Sequence, residues 1–312
     1  MRFFYFYGYL CALQKLMKKY FNLLRVEQWV KNLFIFVPLL FSGKILEVDL
    51  FYLSFFAFLI FSLTASSIYI INDYMDIDSD RQHPKKKNRP LASGAISKTT
   101  AQILFSGLIL SILGSLWVGL SVLNIGNIWK FGSIILFYFV MNLAYTFKLK
   151  HIAILDITII AIGFVLRVLA GGYITGLIIT QWAILLTFVL ALVLAIGKRR
   201  GELVNAQLTG KTRKALDGYN IQFADIALSI SCALAIVCYL MFTLSPEVQA
   251  RFHPRVFYTV VFVLFAFLRY LQQTLVYNRT ESPTKIVYKD RYIQITLVLW
   301  IVVFLYQIYA KQ

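Results

Sequence analysis

The stretch Asn72-Asp73-Tyr74-Met75-Asp76-Ile77-Asp78-Ser79-Asp80-Arg81 places four carboxylates at the end of a long apolar run. On a helix, Asp73, Asp76 and Asp80 fall at i, i+3 and i+7 and share a face, while Asp78 points away. Carboxylates gathered on one face repel each other unless a cation neutralises them. Hard divalent cations prefer such oxygen ligands, and Mg²⁺ takes one or two carboxylates together with substrate phosphates. Asp73, Asp76 and Asp80 are therefore the expected metal ligands and Mg²⁺ the expected cofactor. The plainer alternative is a solvated acidic loop that balances the lysines after it. Acids at a membrane boundary are costly and by default functional, which favours the site.

Cations follow directly, in Arg81-Gln82-His83-Pro84-Lys85-Lys86-Lys87-Asn88-Arg89-Pro90. A metal beside cations is a means of holding a phosphorylated substrate. Any single lysine here is equally explained as an ordinary basic loop residue. Arg81, helically adjacent to the acids, and Arg89, set against Pro90, are the stronger candidates, with Asn72 at the head of the motif. A second group, Arg25, Gln28, Trp29, Lys31 and Asn32, opens the first apolar run. Gln28 and Lys31 are three apart and could face a site, although flanking residues at an interface look the same. A third comprises Tyr145, Lys148, Lys150, His151, Asp156 and Arg167. Asp156 and Arg167 lie almost three helical turns apart on one face, with Gly163 between them leaving room for a ligand or helix. Lone charges inside a span cost at least about 2.5–3.5 kcal/mol, so both call for partners, either a substrate or a salt bridge across helices. The fourth group is Gly197-Lys198-Arg199-Arg200-Gly201-Glu202. Its simpler reading is an i, i+4 pair between Lys198 and Glu202 and cations that suit a helix C-terminus.

The elements that must position these groups are membrane spans. Of the 312 residues, 60% are hydrophobic, against about 45–50% in soluble domains. Nine apolar stretches are candidates: 32–46, 50–72, 100–122, 128–147, 152–175, 180–197, 224–245, 255–275 and 291–310. The first is short and contains Pro38, which predicts a kink or tilt. The net charge of +17 does not indicate nucleic-acid binding, because the basic residues fall in gaps between apolar runs. With the N-terminus in the cytoplasm, 24 of the 31 lysines and arginines lie inside. Five lie outside (Lys44, Lys130, Arg251, Arg255 and Lys311), and Arg167 and Arg269 lie within spans. By the positive-inside rule the N-terminus and the active site are cytoplasmic and the C-terminus is outside. The chain then reads as one integral domain over 1–312 in the cell membrane, with an interfacial segment at 1–24 in place of a cleaved signal. Site-bearing cytoplasmic loops are expected at 73–99 and 198–223. Cys11, Cys232 and Cys238 have no metal-ligand spacing. Phosphate-loop, Gly-x-Ser-x-Gly and His-Glu-x-x-His motifs are absent from the sequence.

Asn-Asp-x-x-Asp-x-x-x-Asp at the end of the second span resembles the first aspartate motif of the UbiA superfamily of intramembrane prenyltransferases. The likeness runs from about Leu24 to Tyr309. Within the superfamily it is strongest to the branch that transfers phosphoribose to decaprenyl phosphate. The stretches that carry it are Gln28-Trp29-Val30-Lys31-Asn32, Asn72 to Arg81, His83-Pro84, Arg89-Pro90 and Leu149-Lys150-His151. Asp156, Arg167 with Ala170-Gly171-Gly172, and Gly197-Lys198-Arg199 with Glu202 continue it, and Asp290-Arg291 matches more weakly. Where typical members carry a second aspartate motif, this chain has Lys198, Arg199 and Arg200, which suggests direct phosphate binding by cations. The resemblance implies an all-α bundle with a central cavity open to the cytoplasm. It also implies Mg²⁺-dependent transfer of 5-phosphoribose from phosphoribosyl diphosphate to a polyprenyl phosphate in the bilayer, releasing diphosphate, toward a cell-envelope pentose donor. Asp73, Asp76, Lys150 and Asp156 would be catalytic. Gln28, Lys31, Asn32, Asn72, Arg81, Arg89, Tyr145, Lys150, Arg167, Lys198, Arg199 and Glu202 would bind substrate. The alternatives are transfer of the prenyl group itself, against which the basic fourth group speaks, and a lipid or solute transporter, which should show paired interrupted helices. Assembly as a homo-oligomer is left open.

Overall fold

The computed structural model describes residues 14, 17–84, 86–209, 216–278, 286 and 289–309. Most of the interfacial segment expected at 1–24 lies outside these, as do Lys85 and the middle of the 198–223 segment. Every element among the described residues is helical. A 3₁₀ entry segment (Val26–Phe36) leads into short α1 (Val37–Phe41), long α2 (Val48–Met75) and short α3 (Ile77–Gln82). Then come α4 (Lys98–Ser121), α5 (Ile128–Phe147), α6 (Leu155–Thr175), α7 (Gln181–Thr209) and α8 (Ile221–Leu244). Short α9 (Pro246–Arg251), α10 (Val260–Leu271) and α11 (Arg291–Tyr309) complete the order.

Seven helical runs are long and apolar enough to cross a bilayer: α2, α4, α5, α6, α7, α8 and the continuous run Pro254–Val276 that contains α10. Two of the nine candidates fall short. The apolar part of α11, Arg291–Gln307, is a shorter helix. The stretch 32–46 is broken into 3₁₀ turns, five residues of α-helix carrying Pro38 in the first turn, and a loop. Proline has no N–H for a helix interior but is tolerated in the first turn.

The segments read as loops at 73–99 and 198–223 are in good part helical. Asp73 is still on α2, and Lys198, Arg199 and Glu202 sit well inside α7, which continues to Thr209. The charges of α7 do not end it because they meet partners on neighbouring helices, described below.

The inner helices are α2 and α6, each 61% buried over its most apolar stretch, whereas α4 is 11% buried and faces outward. Ala57, Phe61, Ile134, Tyr138, Leu166 and Ala170 join α2, α5 and α6 in one core cluster. Ile157, Val193, Ile196, Leu228 and Tyr270 join α6, α7, α8 and α10 in another. Gly171 sets how closely the entry segment lies on α6. A Cβ there would stand 1.9 Å from the carbonyl oxygen of Ile35, so only glycine lets the two backbones meet. The entry segment thereby carries Arg25, Lys31 and Asn32 over the centre of the bundle.

Candidate active site

α2 ends at Met75, and Asp76 leaves the helical region with φ −95° and ψ 9°. The break changes the geometry expected of the aspartates. Asp73 and Asp80 are buried and bridged by one guanidinium. Arg89 Nη1 donates to Asp73 Oδ1 at 3.2 Å and to Asp80 Oδ2 at 2.6 Å. Arg25 also donates to Asp73, and Lys86 Nζ lies 3.6 Å from Asp80 Oδ1. Asp76 turns instead toward Lys150, whose Nζ donates to its Oδ1 at 3.1 Å. The three acids thus do not share one helical face, because the helix that would align them stops in their midst. Among the described residues no group of three His, Cys, Asp or Glu side chains stands within reach of one metal ion. Asp78 is exposed, as its spacing predicts. Lys150 comes from the 3₁₀ turn Leu149–His151 after α5, 74 residues from Asp76. Three separate chain segments therefore converge on the acids.

The chemistry of the donor set fits Mg²⁺. Asp73 Oδ2 is a buried hard oxygen without a hydrogen-bond partner, and Asp80 Oδ1, likewise without one, has the Lys86 ammonium 3.6 Å away. Leaving a buried carboxylate oxygen unsatisfied costs about 1–3 kcal/mol or more, and a cation would relieve that cost. Asp73 and Asp80, which Arg89 joins, are the residues that would hold it, while Asp76 pairs with Lys150.

Arg25 has φ 49° and ψ 48°, the left-handed region, which is uncommon for a residue with a Cβ. Its guanidinium stacks 4.7 Å from the centre of the Tyr69 ring while reaching Asp73. Spacing within the entry group gave no sign that Arg25 would be the counter-ion of Asp73, since nothing local reveals a contact across 48 residues.

A second network joins α6, α7 and the turn before α8. Arg199 Nε lies 2.9 Å from Asp156 Oδ2, and Arg199 Nη1 donates to Glu202. The Tyr219 hydroxyl donates to Asp156 Oδ1 at 2.6 Å and accepts from the Ile154 N–H at 2.6 Å. Burial and that bond to Asp156 hold the Tyr219 phenol well above its usual range. Tyr145 on α5 feels the charges of Arg199, Asp156 and Glu202. Tyr219 was not expected, because its partner lies 63 residues away. The neighbouring Arg200 turns the other way, toward Asp225 on α8, and donates to Asn278 Oδ1 at 3.1 Å.

Asp156 and Arg167, expected on one face, do not meet. Arg167 donates from Nε to Asn32 Oδ1 at 2.7 Å, from Nη1 to the Gly163 carbonyl at 2.6 Å and from Nη2 to Tyr138 at 3.0 Å. It is sandwiched by Phe61, Tyr138 and Phe164. The room beside Gly163 is taken by this guanidinium itself. Asn32 in turn donates to Ser62 on α2 at 2.9 Å. Arg167 and Asn32 hence tie the entry segment to α2, α5 and α6.

Two other expected residues stand apart. Arg81 is largely exposed, bonding Asp78 at 3.5 Å and the Ala92 carbonyl at 3.2 Å. Gln28 reaches only its neighbour Glu27, at 3.4 Å. Asn72 contributes its carbonyl to the Asp76 N–H at 3.0 Å.

The structure also holds an apolar cavity of about 460 Å³. Phe34, Val37, Leu190, Leu194, Phe267 and Trp300 are among its walls, so it spans the space between the entry segment, α7, α10 and α11.

Comparison with known proteins places this arrangement. The profile of the UbiA prenyltransferase family matches residues 33–294. The decaprenyl-phosphate phosphoribosyltransferase of Mycolicibacterium smegmatis is 34% identical over 289 residues, 89% of this chain and 88% of that protein. The protein of the same name from Mycobacterium tuberculosis is 29% identical over 287 residues, 89% of this chain and 90% of the relative. Among solved structures, a UbiA homolog from Archaeoglobus fulgidus bound to GPP and Mg²⁺ superposes with a TM-score of 0.63. It covers 94% of this chain and 98% of its own, and at 18% identity the likeness is one of fold.

Proposed function

The chain belongs to the UbiA prenyltransferase family, and from that premise we propose that it transfers 5-phosphoribose from phosphoribosyl diphosphate to a polyprenyl phosphate. The observation that carries this reading is the pairing of acids with cations where a prenyl transferase of the family's usual kind would carry two acidic motifs. One acidic cluster, Asp73, Asp76 and Asp80, faces Arg25, Arg89 and Lys150. The other position is the basic run Lys198, Arg199 and Arg200. The substantial identity to relatives named for this activity supports the same reading.

In the proposed reaction a phosphate oxygen of the lipid attacks the anomeric carbon of the ribose. A carbon–oxygen bond forms there, and the bond to the diphosphate breaks with its electrons leaving on diphosphate. Asp73 and Asp80 would hold a Mg²⁺ ion, whose charge would neutralise that of the leaving group. Arg25 and Arg89, released from the acids, would donate to the diphosphate oxygens, and Lys150 would hold the donor from the opposite side. A phosphate monoester is already anionic at neutral pH, so no strong general base is needed. Positioning and charge stabilisation carry the catalysis. Asp156, Arg199, Glu202 and Tyr219 hold the start of α6 against α7, and Tyr145 lies beside them. Arg167 and Asn32 fix the entry segment. Counting the broken first segment and the shorter α11 as crossings gives nine spans. The distribution of lysine and arginine along the sequence supports a cytoplasmic N-terminus and site. The product would serve as a lipid-linked pentose donor for envelope polysaccharide.

Purified protein supplied with labelled phosphoribosyl diphosphate, decaprenyl phosphate and Mg²⁺ should label the lipid. Asp73→Asn and Asp76→Asn should each reduce labelling by about 10²-fold or more, the usual scale for removing a group that stabilises developing charge. Labelling that survives both substitutions would overturn the assignment of the acids.

A further inference from the structure

The turn that carries Lys150 leads into a strained residue. Ile154, just before α6, has φ 68° and ψ −46°. A positive φ at a β-branched residue is a genuine outlier, and this pair of angles falls near the rare, strained form of the γ-turn. Such a backbone persists only where its surroundings over-determine it. Here the surroundings are the segment before α8. The Ile154 N–H donates to the Tyr219 hydroxyl at 2.6 Å, and that hydroxyl donates to Asp156 Oδ1 at 2.6 Å. Asp156 is buried, and its other oxygen lies 2.9 Å from Arg199 Nε on α7. The tyrosine is thus fixed from behind. Gly218 brings its segment this close to the strained turn. It has φ 91°, and a Cβ there would stand 3.0 Å from the Ala153 Cβ. The Tyr219 N–H closes its own turn on the carbonyl of buried Leu216 at 3.0 Å.

The stretch 150–154 is therefore fastened at both ends. Lys150 Nζ meets Asp76 Oδ1 at 3.1 Å, and the Ile154 N–H meets Tyr219. A lysine has a long, flexible stem, so where its ammonium rests depends on how firmly its backbone is held. We infer that Tyr219 is a positioning residue for the reaction: its hydroxyl holds the strained Ile154 peptide and thereby sets Lys150 against Asp76 and the donor. This rests on the proposed reaction, in which Lys150 holds phosphoribosyl diphosphate. Tyr219 touches no substrate and acts through Lys150.

The test compares wild type, Tyr219→Phe, Lys150→Met, the Tyr219→Phe/Lys150→Met pair and the Tyr219→Phe/Ile154→Gly pair in detergent. Phenylalanine keeps the ring and removes both hydrogen bonds. Tyr219→Phe should raise KM for phosphoribosyl diphosphate by up to about tenfold, the scale of a neutral hydrogen bond, with KM for polyprenyl phosphate unchanged. In the Lys150→Met background the same substitution should add nothing to the donor's KM. Ile154→Gly, which takes positive φ without strain, should restore most of what Tyr219→Phe loses. A readout without substrate is acylation of lysines by an N-hydroxysuccinimide ester, followed by peptide mass spectrometry. Lys150 should react faster in Tyr219→Phe than in wild type, measured against exposed Lys148. Equal losses from Tyr219→Phe with and without Lys150, or unchanged acylation of Lys150, would make the tyrosine a plain brace between α6 and α7 and overturn the inference. Should the acylation of Lys150 change as expected while wild type transfers no phosphoribose, the positioning contact stands and the proposed reaction falls.

Discussion

Lys31 brings a positive charge into surroundings that already hold several. Burial, then Lys198, Arg167 and Arg25, push its ammonium down from the ordinary lysine range to about 8, against the upward pull of Glu27. Its charged form is therefore held at neutral pH and lost as pH rises through about 8. A phosphate monoester loses its second proton near pH 6. Between these values Lys31 and a substrate phosphate that it holds both carry full charge, so that substrate should bind most tightly there. Its KM should rise from about pH 7 to about pH 9, while Lys31→Arg, charged throughout, should flatten that rise. A flat wild-type profile for both substrates would remove Lys31 from the site. At this scale much of the polar inventory was readable in the sequence. Asp73, Asp80 and Arg89 were picked out by type and spacing, and these three meet. Asp76 joins Lys150 on the far side of the helix break, which spacing alone cannot show. The roles of Arg25 and Tyr219 were not legible, because each is defined by a contact dozens of residues away. Arg167 was expected at a substrate or a salt bridge. Its donors go instead to Asn32, Tyr138 and a carbonyl of its own helix.

The entry segment is where local sequence and tertiary packing disagree most. Its apolar residues read as a short kinked span, and Pro38 marks the kink. Its 3₁₀ turns pack on α6 at Gly171, a contact that no period in the sequence encodes. Gly171→Ala should push the segment outward, since the added methyl meets backbone rather than a side chain that can turn. Overpacking of this kind costs about 1–3 kcal/mol, sometimes more, and here it would also displace Lys31. A lowered thermal midpoint together with a raised KM for the substrate that Lys31 holds is the expected result. Gly107→Ala on outward-facing α4 provides the contrast. Nothing lies within 4 Å of its Cβ position, and replacing a mid-helix glycine stabilises by about 0.5–1 kcal/mol. Equal losses at both positions would refute the packing argument. For α7, charges at Lys198 to Arg200 suggested a helix end at 197. The helix runs on because Asp156, Glu202 and Asp225 pair with Arg199 and Arg200, so charge alone was a poor stop signal.

Over the whole molecule, apolar runs were enough to place the seven helices that are long and apolar enough to cross a bilayer, and the fold is that of the UbiA prenyltransferase family. What distinguishes this chain is how the centre is furnished. One acidic corner is surrounded by cations from the entry segment, the loop after α3 and the turn after α5. An apolar chamber lies between the entry segment, α7, α10 and α11. This division suits a reaction in which a soluble phosphorylated sugar meets a lipid phosphate, and in which the prenyl chain is anchored without being transferred. The most direct measurement is the mass of the lipid product and the stoichiometry of diphosphate released when purified protein is given phosphoribosyl diphosphate, decaprenyl phosphate and Mg²⁺. The account predicts a lipid heavier than the acceptor by one phosphoribosyl unit, with one diphosphate released per lipid modified. An unmodified lipid, or a prenyl chain found attached to a small acceptor in its place, would contradict it.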